Sequence, residues 1–295
     1  MALWSAGRCS RQAAMQSEMV NVVEGLTFAE GLRWRDQRLW FSDMYANEVH
    51  AWSEVARDEV VVRTGSSPSG LGWTLDGDLL IVTMEDRRLL RVDSSGRTTE
   101  VADMSALTPH PINDMVIDGG GRAYIGAFGF DLHGGEELRH GMIIAVEPDG
   151  SHKIAAADVV FPNGMVITDL GRTMVVAETF AGRLSAFDKN DDGTLVSPRV
   201  WAELPEGATP DGICIDSEGA VWVASTGTGE CLRVAEGGEI LDRVSVGRTL
   251  AIACCLGGHD GRTLFVATSD HVLPALCREH RRSCIQAFDV AVGAA

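Results

Sequence analysis

The chain has 295 residues, of which 45% are hydrophobic and 23% are charged, as in ordinary globular proteins. The formal net charge of −17 argues against a nucleic acid or an anionic membrane surface as partner, because both bind basic protein surfaces. The longest nearly apolar run, residues 250–256, is far shorter than the roughly 18 residues needed to cross a bilayer.

Residues 1–19 differ in pattern from the rest of the chain. They contain no apolar segment followed by a small-residue cleavage site, so they do not resemble a secretory signal peptide. We predict a disordered or non-native tail over 1–19, with Met19 as a candidate natural start. One domain is predicted over 20–291, followed by a short tail over 292–295.

From Val20 onward, one sequence phrase recurs six times: an anchor residue, an apolar strand, a turn containing glycine, and a second apolar strand. The anchor positions, spaced 39 to 50 residues apart, are Glu30, Ser69, Asn113, Asn163, Asp211 and, in a degenerate copy, Ile252. Units of this length with three or four short strands are typical of propeller blades. The pattern predicts an all-β, six-bladed propeller, in which a strand over 284–290 pairs with residues 20–23 and closes the ring. A short helical turn is expected within 274–282.

Equivalent positions in a propeller form one ring at one mouth of the central channel, because the blades are related by rotation. The predicted ring carries two carboxylates, Glu30 and Asp211, and two amides, Asn113 and Asn163. Without a cation, such groups would repel one another or remain unsatisfied. We therefore predict a hard divalent ion with open positions for water and substrate. The alternative is that the Asn-Gly pair at 163 and the Asp-Gly pair at 211 are ordinary tight-turn dipeptides.

The ordered set of motifs resembles the SMP-30/gluconolactonase/LRE family over residues 20–290. The motifs are Ala29-Glu30-Gly31, Asn113 to Asp118, Gly126 to Asp131, Phe161-Pro162-Asn163-Gly164 and Pro210-Asp211-Gly212. The resemblance implies a six-bladed propeller with one divalent metal ion (Ca²⁺, Zn²⁺, Mn²⁺, Mg²⁺ or Fe²⁺) in its central channel. It also implies lactonase activity on a small-molecule, sugar-acid-like lactone.

The resemblance further implies roles for individual residues. Glu30, Asn163 and Asp211 match the family's metal ligands, and Asn113 matches an asparagine at the metal or the substrate. Asp131 matches an acidic residue that contacts substrate hydroxyl groups. The family's substrate-binding arginine is replaced by Pro111, and His110 beside it is a candidate substrate contact.

Hydrolysis at such a site would use a metal-activated water. We assign Asp211 as the base that accepts the proton of that water, and Asn113 as the group that holds the carbonyl oxygen. Two alternatives use the same scaffold: a phosphotriester or aryl-ester hydrolase, and a non-catalytic binding propeller stabilised by its metal. The seven cysteines include no CxxC pair and are predicted to be reduced, which favours a cytoplasmic location.

Overall fold

The computed structural model of the protein describes residues 19–295, so the predicted N-terminal tail lies almost entirely outside the described residues. Within this range the strands form six four-stranded antiparallel sheets, arranged as the predicted six-bladed β-propeller. The strands are β1 (Val20–Leu26), β2 (Ala29–Arg35), β3 (Arg38–Asp43), β4 (Glu48–Ser53), β5 (Arg57–Arg63), β6 (Pro68–Trp73), β7 (Leu79–Thr83), β8 (Arg88–Val92), β9 (Thr98–Asp103), β10 (Ile112–Ile117), β11 (Ala123–Ala127), β12 (Gly141–Val146), β13 (His152–Val159), β14 (Pro162–Thr168), β15 (Thr173–Glu178), β16 (Arg183–Lys189), β17 (Leu195–Glu203), β18 (Pro210–Ile215), β19 (Val221–Ser225), β20 (Glu230–Val234), β21 (Ile240–Ser245), β22 (Leu250–Gly257), β23 (Thr263–Ser269) and β24 (Ser283–Asp289). One short α-helix, α1 (Pro274–His280), and the 3-10 turns Met44–Ala46, Asp169–Gly171 and Thr179–Ala181 complete the described elements.

The first five blades each use four consecutive strands, from β2–β5 in blade one to β18–β21 in blade five. Blade six combines β22, β23 and β24 with β1 from the other end of the chain. Val20 pairs with Ala287 and Asn21 with Gln286 in an antiparallel register. This is the predicted closure, and it pairs the last blade's edge with the start of the described chain.

Within each blade, burial is lowest in the outermost strand. Every residue of β7, the second strand of blade two, is buried, whereas nearly every residue of β5, an outermost strand, is exposed. Apolar side chains from both faces of the sheets form clusters between successive blades. One such cluster joins Val82 of blade two to Ile112 and Ile125 of blade three. Packing between blades is therefore the main apolar contribution to the stability of the ring.

A register irregularity interrupts each innermost strand at or beside its anchor position. Such a bulge bends the strand and re-aims a side chain. Glycine follows the anchor in four blades because the next blade's backbone comes very close. A β-carbon on Gly164, for example, would lie 2.5 Å from the amide nitrogen of Ile213. The Asn-Gly pair at 163 and the Asp-Gly pair at 211 thus lie within bulged strands, and the alternative interpretation as tight turns is wrong.

The last residues of the chain, 292–295, fold back against blades five and six. The Gly293 carbonyl accepts a hydrogen bond from the Ser217 amide (2.9 Å), and the Ala294 amide donates to the Gly261 carbonyl (2.9 Å). Ala294 lines a cavity of about 340 Å³ at the end of the channel opposite the anchors. The segment predicted as a C-terminal tail therefore contributes to the wall of this cavity.

His50, on β4 in blade one, is buried among carboxylates. Its Nδ1 lies 3.0 Å from Asp58 Oδ1, and its Nε2 lies 3.3 Å from Glu48 Oε2. Burial by itself lowers the pKa of His50. The hydrogen bond and charge of Asp58, together with the charges of Asp43 and Glu48, outweigh burial and raise the pKa above its ordinary value.

We expect this raised pKa to make stability depend on pH. The protonated imidazole stabilises the fold fully below its unfolded pKa of about 6.5, and the stabilisation is lost as pH rises through the folded pKa. Replacing His50 with glutamine should therefore cost more free energy of unfolding at about pH 5.5 than at about pH 9. Urea unfolding at both pH values measures this difference, with exposed His259→Gln as the control. An equal cost at both pH values would contradict the assignment.

Candidate metal centre and active site

The ring at the mouth of the channel is held by a chain of hydrogen bonds between consecutive blades. Ser69 Oγ donates to Asn113 Oδ1 (2.8 Å), and Asn113 Nδ2 donates to Asn163 Oδ1 (3.0 Å). Asn163 Nδ2 in turn donates to Thr179 Oγ1 (3.3 Å), which donates to the Pro210 carbonyl (2.8 Å). These bonds orient the Asn163 amide, with its nitrogen toward Thr179 and its oxygen toward Asn113.

The two predicted carboxylates of the ring are buried close enough for their charges to interact. Burial raises the pKa of Glu30 well above its ordinary value, and the charges of Asp211 and Asp114 raise it further. The pKa of Asp211 is raised by burial and by the charge of Asp114, while a hydrogen bond with Asn163 acts in the opposite direction. Asp211 Oδ1 is buried without a hydrogen-bond partner. In this arrangement the hydrogen bonds and positive charges around the two carboxylates do not offset the cost of burying them in ionised form.

Asp114 and Arg33 form an ion pair that the sequence analysis missed. Asp114 stands where four other blades have glycine, and its Oδ1 lies 2.7 Å from Arg33 Nη2. Arg33 belongs to blade one and Asp114 to blade three, so the guanidinium reaches past blade two. The aspartate at position 114, where four other blades have glycine, was the sequence feature that could have identified Asp114 as part of the site. No comparable signal marked Arg33.

The ring therefore carries an excess of negative charge. The charges of Asp211 and Asp114 raise the pKa of Glu30, and the charge of Arg33 lowers it. When ionised, these three carboxylates and one guanidinium sum to −2, which one divalent cation would neutralise. The oxygens of Glu30 and Asp211, with Asn163 Oδ1, are ligands of the kind that divalent ions bind. The unpartnered Asp211 Oδ1 is consistent with this role, so the residues present fit a divalent cation.

The other two predicted substrate contacts, Asp131 and His110, lie on neighbouring loops at the same mouth. Asp131 is exposed, and its Oδ1 accepts hydrogen bonds from the amides of His133 (3.1 Å) and Gly134 (2.7 Å). His110 Nδ1 lies 3.7 Å from Glu136 Oε2, which also accepts the Asp131 amide (3.0 Å). Among the contacts described for residues 19–295, none joins either residue to the ring. Their roles remain predictions.

One side of the mouth is aromatic. The rings of Phe128 and Phe161 stack with their centroids 4.1 Å apart. The ring centroids of Phe161 and Phe180 are 4.8 Å apart. Phe161 lies two residues before Asn163, and Phe180 follows Thr179, the hydrogen-bond partner of Asn163. Phe180 is 46% exposed, so this aromatic wall presents an apolar surface beside the ring.

The fold and the site together define a class: a six-bladed propeller with an acidic, oxygen-lined ring at one mouth of its channel. The chain belongs to the family described as SMP-30/Gluconolactonase/LRE-like region, whose model matches residues 28–270. This confirms the family predicted from the motifs. None of the described helices is long and apolar enough to span a membrane.

Named relatives are similar along most of their length. A pentonolactonase of Haloferax volcanii is 28% identical over 245 residues, covering 81% of each chain. Regucalcin of Danio rerio is 26% identical over 239 residues, covering 80% of each chain. A 6-deoxy-6-sulfogluconolactonase of Pseudomonas putida is 24% identical over 241 residues, also covering 80% of each chain. The crystal structure of a calcium-binding regucalcin from Agrobacterium tumefaciens superposes with a TM-score of 0.79 at 21% identity, covering 94% of this chain and 96% of that one.

Proposed function

We propose that this protein is a metal-dependent lactonase, which opens a cyclic ester with water. The observation that carries the proposal is the buried ring of Glu30, Asn163 and Asp211, whose negative charge Arg33 only partly compensates. Membership of the family and the names of two relatives, a pentonolactonase and a sulfogluconolactonase, support the reaction class.

Glu30, Asn163 and Asp211 would hold the metal ion, with Asn113 beside it. A divalent ion bound there would polarise the lactone carbonyl and lower the pKa of a water molecule. The oxygen ligands suit Ca²⁺, Mg²⁺ and Mn²⁺, and carboxylates also bind Zn²⁺ and Fe²⁺. The proposed cofactor is therefore one divalent ion from this group.

Proton transfer and positioning are assigned to the chain's own residues. Asp211 accepts the proton of the attacking water through a carboxylate that has an unpartnered oxygen. Asn113 uses one amide hydrogen for Asn163, and its second can hold the carbonyl oxygen as negative charge develops there. Glu30 and Asn163 mainly fix the metal. Because the ring is buried, these interactions are screened less than they would be in bulk water.

The mouth offers the substrate both polar and apolar contacts. We assign Asp131 and His110 to the hydroxyl groups of the substrate, and the aromatic wall to an apolar substituent. Pro111, where the family has its substrate-binding arginine, provides no charged contact. An informative set of substrates therefore runs from polar aldonolactones to lactones that carry alkyl or aryl groups.

A substrate panel combined with metal removal and replacement tests the proposal. We expect lactone hydrolysis to be lost in EDTA and restored by at least one of Ca²⁺, Mg²⁺, Mn²⁺, Zn²⁺ or Fe²⁺, because the carboxylate ring requires a counter-charge. The rate of acid release, followed with a pH indicator, measures turnover. The same protein kept in buffer without EDTA serves as the control.

Other outcomes would replace the proposal. Metal-dependent hydrolysis of a phosphotriester or an aryl ester, without lactone turnover, would assign the site to that reaction. A melting temperature that depends on metal, with no turnover of any panel member, would favour a non-catalytic binding propeller. Lactone hydrolysis that survives complete metal removal would overturn the metal dependence.

A further inference from the structure

A segment of blade six borders the mouth that carries the ring. It connects β23 to β24 and includes α1. The Tyr45 hydroxyl donates a hydrogen bond to the Val272 carbonyl of this segment (3.2 Å), and the Arg278 guanidinium lies 5.3 Å from the centroid of the Tyr45 ring. Burial raises the pKa of Tyr45, and the charges of Cys277 and Glu30 raise it further. The segment thus packs on Tyr45, which lies in the 3-10 turn of blade one.

The two ends of this segment bring together three side chains with metal-binding atoms. Asp270, His271 and His280 each offer one ligand atom, and these atoms all lie within 4.8 Å of one another. The ring centroids of His271 and His280 are 5.0 Å apart. His271 Nε2 lies 3.9 Å from Asp270 Oδ2. Two imidazoles and one carboxylate form a ligand set for Zn²⁺ and related transition metals. This set differs from the all-oxygen ring in the channel.

A second observation points to a missing ligand. His280 Nδ1 is buried and has no hydrogen-bond partner among the described residues, although buried polar atoms are normally satisfied. The backbone of the neighbouring ligand is already fixed, because the His271 carbonyl accepts hydrogen bonds from Ser269 Oγ (2.7 Å) and Cys277 Sγ (3.3 Å). We propose that Asp270, His271 and His280 form a second metal site, specific for a Zn²⁺-like ion and separate from the ring.

Binding of Zn²⁺ requires the three ligand side chains to move closer together and the ion pair between Arg282 and Asp270 to break. Zinc–ligand bonds of about 2.0–2.1 Å in tetrahedral geometry place ligand atoms roughly 3.4 Å apart, so the side chains must approach one another. Val272 and Leu273, which follow the first two ligands, are exposed and leave room for this movement. The ion would also displace Arg282, whose Nη1 lies 3.5 Å from Asp270 Oδ2 and whose side chain is 70% exposed. Once bound, it would tie the start of the segment to the end of α1.

Zinc titration of the EDTA-treated full chain, monitored with a chromophoric chelator as competitor, tests the proposal. Wild type should bind one more equivalent of Zn²⁺ than His280→Ala. The control His259→Ala removes an exposed histidine that lies beside an aspartate elsewhere in blade six, and it should bind as wild type does. Arg282→Ala should bind Zn²⁺ several-fold more tightly, because it removes the competing guanidinium.

The two metal sites are separated by using Glu30→Gln as a background. Zinc binding that persists in Glu30→Gln and disappears in Glu30→Gln/His280→Ala would support the second site, whatever the outcome of the lactonase assays. Co²⁺ serves as a second probe. The difference between the visible spectra of the Co²⁺-loaded wild type and His280→Ala should be a band as intense as that of a tetrahedral Co²⁺ site with nitrogen ligands. Identical stoichiometry and affinity in wild type and His280→Ala would overturn the proposal.

Discussion

Replacing Asp211 with asparagine is expected to lower kcat for lactone hydrolysis by about 10²–10⁴-fold, the usual contribution of a general base. Asparagine has nearly the same shape and keeps one oxygen for a metal ion, but it cannot accept the proton of water. The same change should raise the melting temperature of the metal-free protein. Asp211 is buried near Asp114, and its raised pKa reflects the unfavourable energy of its charge there.

The two readouts together distinguish a base from a structural residue. Activity is measured with the best lactone of the panel, and stability by thermal unfolding in EDTA. Asp216→Asn is the matched control, since Asp216 is buried on the same blade but pairs with Arg233 (2.6 Å) away from the ring. It should lose stability and keep its turnover. Near-normal turnover in Asp211→Asn would remove Asp211 as the base.

Replacing Arg33 with methionine is expected to destabilise the metal-free protein by about 3 kcal/mol, the lower end of the effect of breaking a buried ion pair. The lower end applies because the Arg33 side chain is 25% exposed. The change leaves Asp114 without its partner and removes the guanidinium whose charge lowers the pKa of Glu30. When all three are ionised, the net charge of the ring would change from −2 to −3.

A second substitution tests whether charge is the cause. Arg33→Met/Asp114→Asn returns the net charge of the ring to −2 and should recover a large part of the lost stability. Urea unfolding in EDTA provides the free energies of unfolding. Arg91→Met is the control, because Arg91 pairs with Asp78 but is 44% exposed, and its loss should cost less than about 1 kcal/mol. Equal destabilisation in the single and double variants would indicate lost packing instead.

The repeat pattern was sufficient to predict the blades and the four polar anchor residues of the ring. Each copy of the repeat forms one sheet, and rotation places equivalent residues at the same height in the channel. Glu30, Asn113, Asn163 and Asp211 could therefore be grouped although they are far apart in the chain. The pattern did not reveal the bulges, because a bulge depends on how the paired strand is offset. For this reason the Asn-Gly and Asp-Gly pairs could also be interpreted as turns.

Other parts of the site have no counterpart in the repeat. Thr179, which orients Asn163, lies in a turn that varies between blades. Arg33 of blade one meets Asp114 of blade three past the intervening blade, at a separation of 81 residues. His271 and His280 come together only through the path of α1 between them. Each contact depends on the three-dimensional course of the chain, and local composition does not encode it.

The sequence alone determined the six-bladed architecture, the family and the four anchor residues that share one mouth of the channel. The alternation of apolar and polar residues predicts the strands within each blade. The repetition of the sequence phrase predicts which positions are equivalent between blades. Only the tertiary structure decided the electrostatic balance of the ring, because this depends on Arg33 and Asp114, which arrive from different blades. The same holds for the metal-binding group of Asp270, His271 and His280. In both cases the decisive quantity is a distance between side chains, which is set by the packing of the whole propeller.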